Sequence, residues 1–541
     1  MYVVDLIGGE VVDKKVIKNC VKTAIENVIK EGTTDVAIFN RPFELKEIAK
    51  KENKNFLIEE ISNIINKIIN NGGNFEELKF KKNGYIFVPK KDFYDFRKCA
   101  LIDIIDEVKY LSLVLLIVKE IEKNRVSKKN VFSYRYKISG GRLFDKQYNF
   151  TSFKHKCVEK KSLKKNKIVI ECDVANFYDR LNLHRLKSVL LSLNGIDLKA
   201  VDMIDELLLF WANRDSYGIP VGSNASRILA EASLIETDRC LMNNNIDFCR
   251  FVDDYRIYTD NIANAHSYLA VLLEKLNKDG LSINLAKTKT KDISNFFGKK
   301  KEIKQKNDTD PMAIAEIIRG YSGLIPTKFR RLSDSEKSKL KKENEQELLE
   351  KLKTDLIIKE EDIVRVIKII ISKEKYELLD EMPKILEKYP QFIPYFADAV
   401  EKNSNNFTQE LNNKITKTVS YWLKKENMPE YIYISLIKLF DCSNEEYKRI
   451  LFNYFKNLKR NSGAYIGRAL LEKLDGFLNR QELLEIRDYY LRSDIWEKRQ
   501  IIKMLQKTLS PEENRPFFKD VLMNNDDYII KFLIGKKKGR K

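Results

Sequence analysis

The sequence predicts two kinds of fold in one chain, an α+β unit with antiparallel strand pairing and then an all-α region of repeated helices. Three observations predict this. Between residues 168 and 300, short strand-like runs alternate with helical patterns. From about residue 310, amphipathic stretches of about 12–16 residues follow one another with short polar breaks. A chain of 541 residues that is 43% apolar has material for about three folding units, at about 100–200 residues each.

Residues 1–122 read as mostly helical. EEISNIINKIINN (59–71) and CALIDIIDEVKYLSLVLLIVKEIEK (99–123) carry apolar residues at helical spacing, and NGYIFVPKKDFYDF (83–96) between them reads as strand or loop. The longest apolar run, LSLVLLIV (111–118), is far short of the ~20 residues that span a bilayer, so it predicts one buried helix and no membrane anchor. From 168 the reading is strand IVIECDV, helices LHRLKSVLLSLNG and DMIDELLLFWANR, and one helix SRILAEASLIETDRCLMNN (226–244). FCRFVDDYRIYTD (248–260) reads as two short strands joined at the aspartates. AHSYLAVLLEKLNKDG is a helix capped by Gly280, and LSINLAKTKT leads into a strand. Beyond 310, helices such as EDIVRVIKIIISKE, YIYISLIKLF and GRALLEKLDGF succeed one another. From about 428 they fall into pairs of about 33 residues, the period of a HEAT-like α-solenoid.

The charge is lopsided: 99 Lys and Arg against 79 Asp and Glu, a net of +20, which points to a polyanionic partner such as nucleic acid. It concentrates in 123–167, with fifteen Lys or Arg, two acidic residues and seven interleaved aromatics. Basic groups there would neutralise phosphates while aromatic faces stack on bases, the alternative being aromatics turned into the core. SGGR (139–142) is a turn, too short to cradle a phosphate. Seven scattered cysteines without a CxxC pair suggest small buried residues of a reduced, cytoplasmic protein, and three isolated histidines suggest no metal cluster. No basic-then-apolar leader is expected at the amino terminus, and the basic tail GKKKGRK reads as solvated or touching nucleic acid.

Two carboxylates in the middle of a strand pattern need a reason. Asp173 ends an apolar strand, and eighty residues later FVDD offers Asp253 and Asp254. If the strand lies beside the hairpin, three carboxylates meet at one sheet edge, where their repulsion calls for cations. Oxygen-only ligands select Mg²⁺ or Mn²⁺ over softer metals, and two such ions make the two-metal site of nucleotidyl transfer.

The flanking motifs, in order, resemble reverse transcriptases. DVANFYD (173–179) is similar to the palm motif with the first aspartate, and GIPVGSNASRILAEASL (218–234) to the "PQG…S…LA" motif. RFVDD resembles the "Y-x-DD" box, DGLSINLAKTKT the "GL-x-L-N-x-x-KT" segment, and FFG (296–298) the primer-grip turn. The resemblance implies right-hand polymerase fingers and palm. Residues 1–122 would be a helical region with fingers, 123–305 fingers and palm, and 306–541 a HEAT-like helical-repeat domain. It implies that Asp173 and Asp253 bind both metals with Asp254 assisting, and that Tyr178 is the steric gate against a 2′-hydroxyl. Gly218, Pro220, Gly222 and Ser223 would shape the floor beneath the incoming nucleotide, where glycine lets backbone approach closely. Lys287 would sit at the triphosphate as charge partner or proton donor, and Arg135 and Lys137 would be triphosphate clamps.

Within that family the nearest likeness is to the abortive-infection and defence-associated reverse transcriptases of bacteria, which pair "GIP-x-G…SRI…E" with a carboxy-terminal helical-repeat domain. That implies an antiphage enzyme acting on dNTPs, with single-stranded DNA as product, RNA as a further partner, and homo-oligomers. In some members it implies synthesis without a template, primed by a tyrosine of the protein. Val221 stands where the family has glutamine and Phe251 where it has tyrosine or another hydrophobe. Valine cannot hydrogen-bond a template strand, which counts against ordinary copying. Two other readings stand beside it: a retron- or intron-type enzyme copying a dedicated RNA, and a non-catalytic helical-repeat scaffold binding nucleic acid.

Overall fold

In the computed structural model the described residues are 12–34, 42–89, 96–294, 329–355, 360–424, 428–458 and 465–535. FFG (296–298) and the tail from 536 lie outside them. Packing divides the chain into two units, one of Met1–Asp35, Phe43–Asn83 and Ile102–Asn307, the other of Val36–Pro42, Gly84–Leu101 and Asp308–Lys541. The antiparallel hairpin of β1 (Gly84–Pro89) and β2 (Phe96–Leu101) thus groups with the later part of the chain.

The first unit opens with α1 (Lys14–Glu31), α2 (Glu44–Ala49) and α3 (Lys51–Asn71), and α1 packs on both α3 and α4 (Ile104–Asn124). The periodicity predicts that this last helix begins at Cys99. It begins five residues later because Cys99–Leu101 pair in β2 and the Asp103 carboxylate caps the helix, accepting from Ile105 N at 3.0 Å. LSLVLLIV lies in the buried part of α4, and among the described residues no helix is long and apolar enough to cross a membrane. β3 (Tyr136–Ser139) and β4 (Arg142–Phe144) form a hairpin turned at Gly140 and Gly141, both at positive φ. Then come α5 (Phe150–Lys161), β5 (Ile168–Asp173), α6 (Phe177–Arg180), α7 (Leu183–Leu191) and α8 (Leu198–Trp211). The stretch read as one helix over 226–244 is two, α9 (Asn224–Ser233) and α10 (Ile235–Asn243), broken at Leu234 where ψ is 0°.

β6 (Asp247–Phe251) and β7 (Asp254–Thr259) form the hairpin read from FCRFVDDYRIYTD. α11 (Ile262–Lys278) and β8 (Lys289–Asp292) complete the unit. The sheet order is β6–β7–β5–β8, antiparallel throughout. Strand alternation puts Asp173, Glu171, Asp254, Arg256 and Phe251 on one face. α5 packs on the far end of that face through Phe153 and Cys157. On the other face Ile170, Cys172, Tyr255 and Ile257 are buried, where α10 and α11 pack on the sheet.

In the second unit α12 (Asp334–Leu340) and α13 (Glu345–Thr354) lead into a regular series: α14 (Glu360–Ser372), α15 (Met382–Lys388), α16 (Ile393–Asn403), α17 (Gln409–Leu423), α18 (Glu430–Ile437), α19 (Glu445–Asn457), α20 (Ile466–Leu474), α21 (Arg480–Asp488), α22 (Ile495–Thr508), α23 (Pro511–Asn524) and α24 (Tyr528–Ile534). The even-numbered helices stack consecutively, α14 on α16, α16 on α18, and so to α24. Lysines near their carboxyl ends reinforce the stack. Lys473 Nζ donates to the Lys438 carbonyl at the end of α18 at 2.8 Å, and Lys507 pairs at 3.4 Å with Asp475, just past α20.

Candidate active site

β5 places Asp173 at its last position, directly across from Asp254, the first residue of β7. Cβ atoms of residues so opposed are about 4.5–5.5 Å apart. Asp253 precedes Asp254 in the turn, and its carbonyl accepts from Val174 N at 3.0 Å, which ties the hairpin tip to the end of β5. A further bond, Asn284 N to the Asp173 carbonyl at 2.7 Å, brings the chain before Lys287 to the same place. Lys287 Nζ then reaches Asp173 Oδ2 at 3.1 Å. Asp173, Asp253, Asp254 and Lys287 are thus gathered at one end of the sheet.

The carboxylates there have basic neighbours, Lys287 at Asp173 and Lys291 at Glu171 among them. Asp254 is held by Arg256, whose Nη2 donates to Oδ2 at 3.0 Å, and Glu171 lies 3.9 Å from the same guanidinium. Burial lifts the Asp254 carboxyl to about 6 in spite of Arg256, and the charges of Asp173 and Glu171 push it further the same way. Carboxylates brought this close, with oxygen donors only, fit a hard divalent cation. Among the described residues, however, no three His, Cys, Asp or Glu side chains already enclose an ion position. Asp173 faces Lys287 and Asp254 faces Arg256, so a cation would take over from these partners.

The loop ahead of α9 forms the adjoining wall. Gly218, at φ +92°, donates to the Leu181 carbonyl at 2.9 Å, and a Cβ there would lie 3.4 Å from the Asp179 carbonyl oxygen. Ile219 N donates to the Tyr178 carbonyl at 3.0 Å, so this loop and the segment carrying Tyr178 are laced together. Pro220 is buried, Gly222 adopts φ +115°, and Ser223 caps α9, accepting from Ala225 N and Ser226 N. Ser223 Oγ also donates to Glu107 of α4 at 2.7 Å. Burial pushes the Glu107 carboxyl up to about 8 against the opposing effects of Ser223 and the Arg227 charge, and its Oε2 has no hydrogen-bond partner. Tyr178 is half-buried, edge-on to Phe177 at 5.6 Å. Burial raises its hydroxyl pKa, with the charge of Asp253 among the groups adding to the rise.

Two expected clamps part ways. Lys137 is exposed and pairs with Asp145 at 3.4 Å. Arg135 is turned inside: its guanidinium donates to the carbonyls of Val131 (3.0 Å) and Val126 (2.6 Å) and pairs with Glu122 at 3.3 Å. The structure does not bring Arg135 to the carboxylates, because a buried guanidinium keeps whatever carbonyls satisfy it. Of the seven aromatics of 123–167, two turn fully inward and five are half-buried. Phe132 and Phe153 are buried in the core under the sheet, with Tyr148, Phe150 and Phe251 packed against them. The exposed residues of the segment include Lys154, Lys164, Lys165 and Lys167, beside Ile138, Val158 and Leu163.

Behind the hairpin lies a buried ionic cluster that local spacing does not disclose. Val252 adopts φ +56°, a strained conformation for a β-branched residue, costing about 1–3 kcal/mol. Its N–H donates to Ser133 Oγ at 2.9 Å, and its carbonyl accepts from Arg250 Nη1 at 2.8 Å. Ser133 Oγ donates to Glu231, which also pairs with Arg125 (2.6 Å) and Arg250 (3.0 Å). Arg250, fully buried, forks onto Asp238 at 2.5 and 2.9 Å. The signal available in the sequence was an arginine inside the apolar run FCRFV.

Residues 97–305 match the family described as Reverse transcriptase (RNA-dependent DNA polymerase). Domains of that family are nucleotidyltransferases that generally use divalent metal ions. No curated protein matches the chain. Among solved structures, the chain is similar to telomerase from Candida albicans in complex with a TWJ fragment of telomeric RNA. The identity is 11%, covering 72% of this chain and 66% of that one, with a TM-score of 0.29. Apo telomerase from Candida tropicalis matches at 11% identity, covering 87% and 86%, with a TM-score of 0.30. The present chain spans slightly less than two thirds of the Candida albicans chain.

Proposed function

We infer that this chain, which carries a reverse transcriptase domain over residues 97–305, polymerises dNTPs into DNA. The observation that carries the reading is the register that sets Asp173 opposite Asp254, with Asp253 in the turn between the hairpin strands. In this reading Asp173 and Asp253 hold Mg²⁺ or Mn²⁺ with Asp254 assisting; the ions would activate the attacking hydroxyl and stabilise the leaving pyrophosphate. The chain's own groups supply the rest. Lys287, which pairs with Asp173, would steady the triphosphate as charge partner or give pyrophosphate a proton. Gly218 and Gly222 let backbone approach the nucleotide, Pro220 and Ser223 hold that loop, and Tyr178 fills the space of a 2′-hydroxyl. Lys137 is the remaining clamp candidate.

The finer reading is antiphage defence with untemplated, protein-primed synthesis, by a homo-oligomer in the cytoplasm. It rests on the family likeness of GIPVGSNASRILAE, on Val221, and on a carboxy-terminal unit proposed to be HEAT-like. The stacking of alternate helices supports that last proposal. The test is dNTP incorporation with Mg²⁺ or Mn²⁺ by the full chain and by Asp253→Ala, with products sequenced before and after protease. Incorporation lost in the variant supports the polymerase. A variant as active as the parent sinks it. Random or homopolymeric DNA released only by protease supports protein priming, and a copy of one RNA overturns it.

A further inference from the structure

The geometry points to Ser133, Glu231 and Arg250 as positioning residues that hold Asp253 for its cation by clamping Val252 in a left-handed backbone conformation. The inference rests on the polymerase reading and adds to it how the site is held.

Val252 is the single residue between the end of β6 and Asp253. A valine at φ +56° persists only where its surroundings over-determine it. Here both of its backbone polar groups are taken by buried side chains, the N–H by Ser133 and the carbonyl by Arg250. Each of those is fixed in turn by Glu231. Main-chain bonds lock the loop carrying Ser133 to β6 on its other side: Phe132 N to the Arg250 carbonyl at 3.0 Å, and Arg250 N to the Asn130 carbonyl at 2.7 Å. Arg125 closes the ring, donating to the carbonyls of Ser133 (2.7 Å) and Tyr134 (3.0 Å) while paired with Glu231. Arg250 alternates with Phe251 along β6 and so lies on the sheet face opposite Asp254, and what the cluster holds is the main chain of Val252. The cluster therefore acts through the backbone, as the partners that orient a ligand do. Truncating Ser133 frees the Val252 N–H, the turn relaxes, and the Asp253 carboxylate leaves its place.

The test is Mn²⁺ binding to the full chain without nucleotide, followed by electron paramagnetic resonance of the free ion, with dNTP incorporation measured in parallel. The variants are Ser133→Ala, Val252→Gly, the double variant, and Asp253→Ala as reference. The parent is expected to bind Mn²⁺ more tightly than Asp253→Ala. Ser133→Ala is expected to weaken binding about 10–100-fold. The double variant should recover part of that loss, because glycine takes positive φ without a clamp. Parent-like affinity in Ser133→Ala, or no recovery in the double variant, overturns the inference. If Ser133→Ala does not fold, the double variant decides, since folding with near-parent affinity supports the clamp and any other result overturns it. Equal binding by the parent and Asp253→Ala would instead overturn the polymerase reading itself.

Discussion

At the scale of single residues, the site is a balance of opposed charges. Asp173 and Asp254 face each other across two strands, and each has a cation beside it, Lys287 and Arg256. A cationic side chain lowers the repulsion but cannot bridge two carboxylates and a triphosphate as a divalent ion does. Tyr178 belongs to the same scale. It is half-buried, feels the charge of Asp253, and is tied through its carbonyl to the Gly218 loop. If its ring occupies the 2′-hydroxyl position, Tyr178→Ala is expected to raise ribonucleotide incorporation relative to deoxynucleotide by about tenfold or more, since a lost clash is worth about 1–3 kcal/mol. Competition between labelled rNTP and dNTP measures it, and an unchanged ratio would remove Tyr178 from the gate.

At the scale of elements, the joint between α4 and α9 stands out. Ser223 caps α9 and donates to Glu107, whose second oxygen is buried without a partner. The Glu107 pKa rises from 4.5 in water to about 8 in the fold, so between those values the folded chain binds a proton that the unfolded chain does not. Stability from this group is therefore full below about pH 4.5 and is lost as pH rises towards 8. Glu107→Gln imitates the protonated form. It is expected to melt near the parent at pH 5 and several degrees above it at pH 8.5, in thermal scans across pH. A constant difference at all pH values would mean that Glu107 is ionised in the fold. Elements also account for the boundaries that differ from the periodicity. Apolar spacing over 99–123 and 226–244 cannot distinguish a helix from a strand end or a break, and Asp103 and Leu234 decide those points through a cap and a backbone angle.

At the scale of the whole molecule, a net charge of +20 and a surface of lysines over 154–167 predict strong salt dependence of nucleic-acid binding. Affinity for a single-stranded DNA oligonucleotide is expected to fall at least about tenfold between 50 and 200 mM salt, by fluorescence anisotropy, because each neutralised phosphate releases a counterion. A flat dependence would make the surplus charge a solvated surface only. The stacked helices of the second unit bring lysines to successive helix ends, as with Lys473 and Lys507. Their separation of 34 residues was present in the sequence but carried by too few positions to stand out from other lysines.

Local pattern was enough to read the strand at 168–173, the hairpin over 248–260 and the carboxylates proposed for the site. These depend on neighbours a few residues away, through alternation, turn chemistry and the cost of adjacent like charges. The ordered motifs also lie within residues 97–305, which match the reverse transcriptase family. The tertiary structure alone decided which side chains share a space. Asp254 meets Asp173 across 81 residues of chain. Arg135 turns to interior carbonyls instead of the site, and Phe132 and Phe153 pack into the core while Lys154, Lys164, Lys165 and Lys167 stay exposed. Glu231 and Ser133 reach the back of Val252 from other elements. The physical reason is that a side chain's direction is set by whichever distant surface buries it and satisfies its polar atoms, and no local spacing records that.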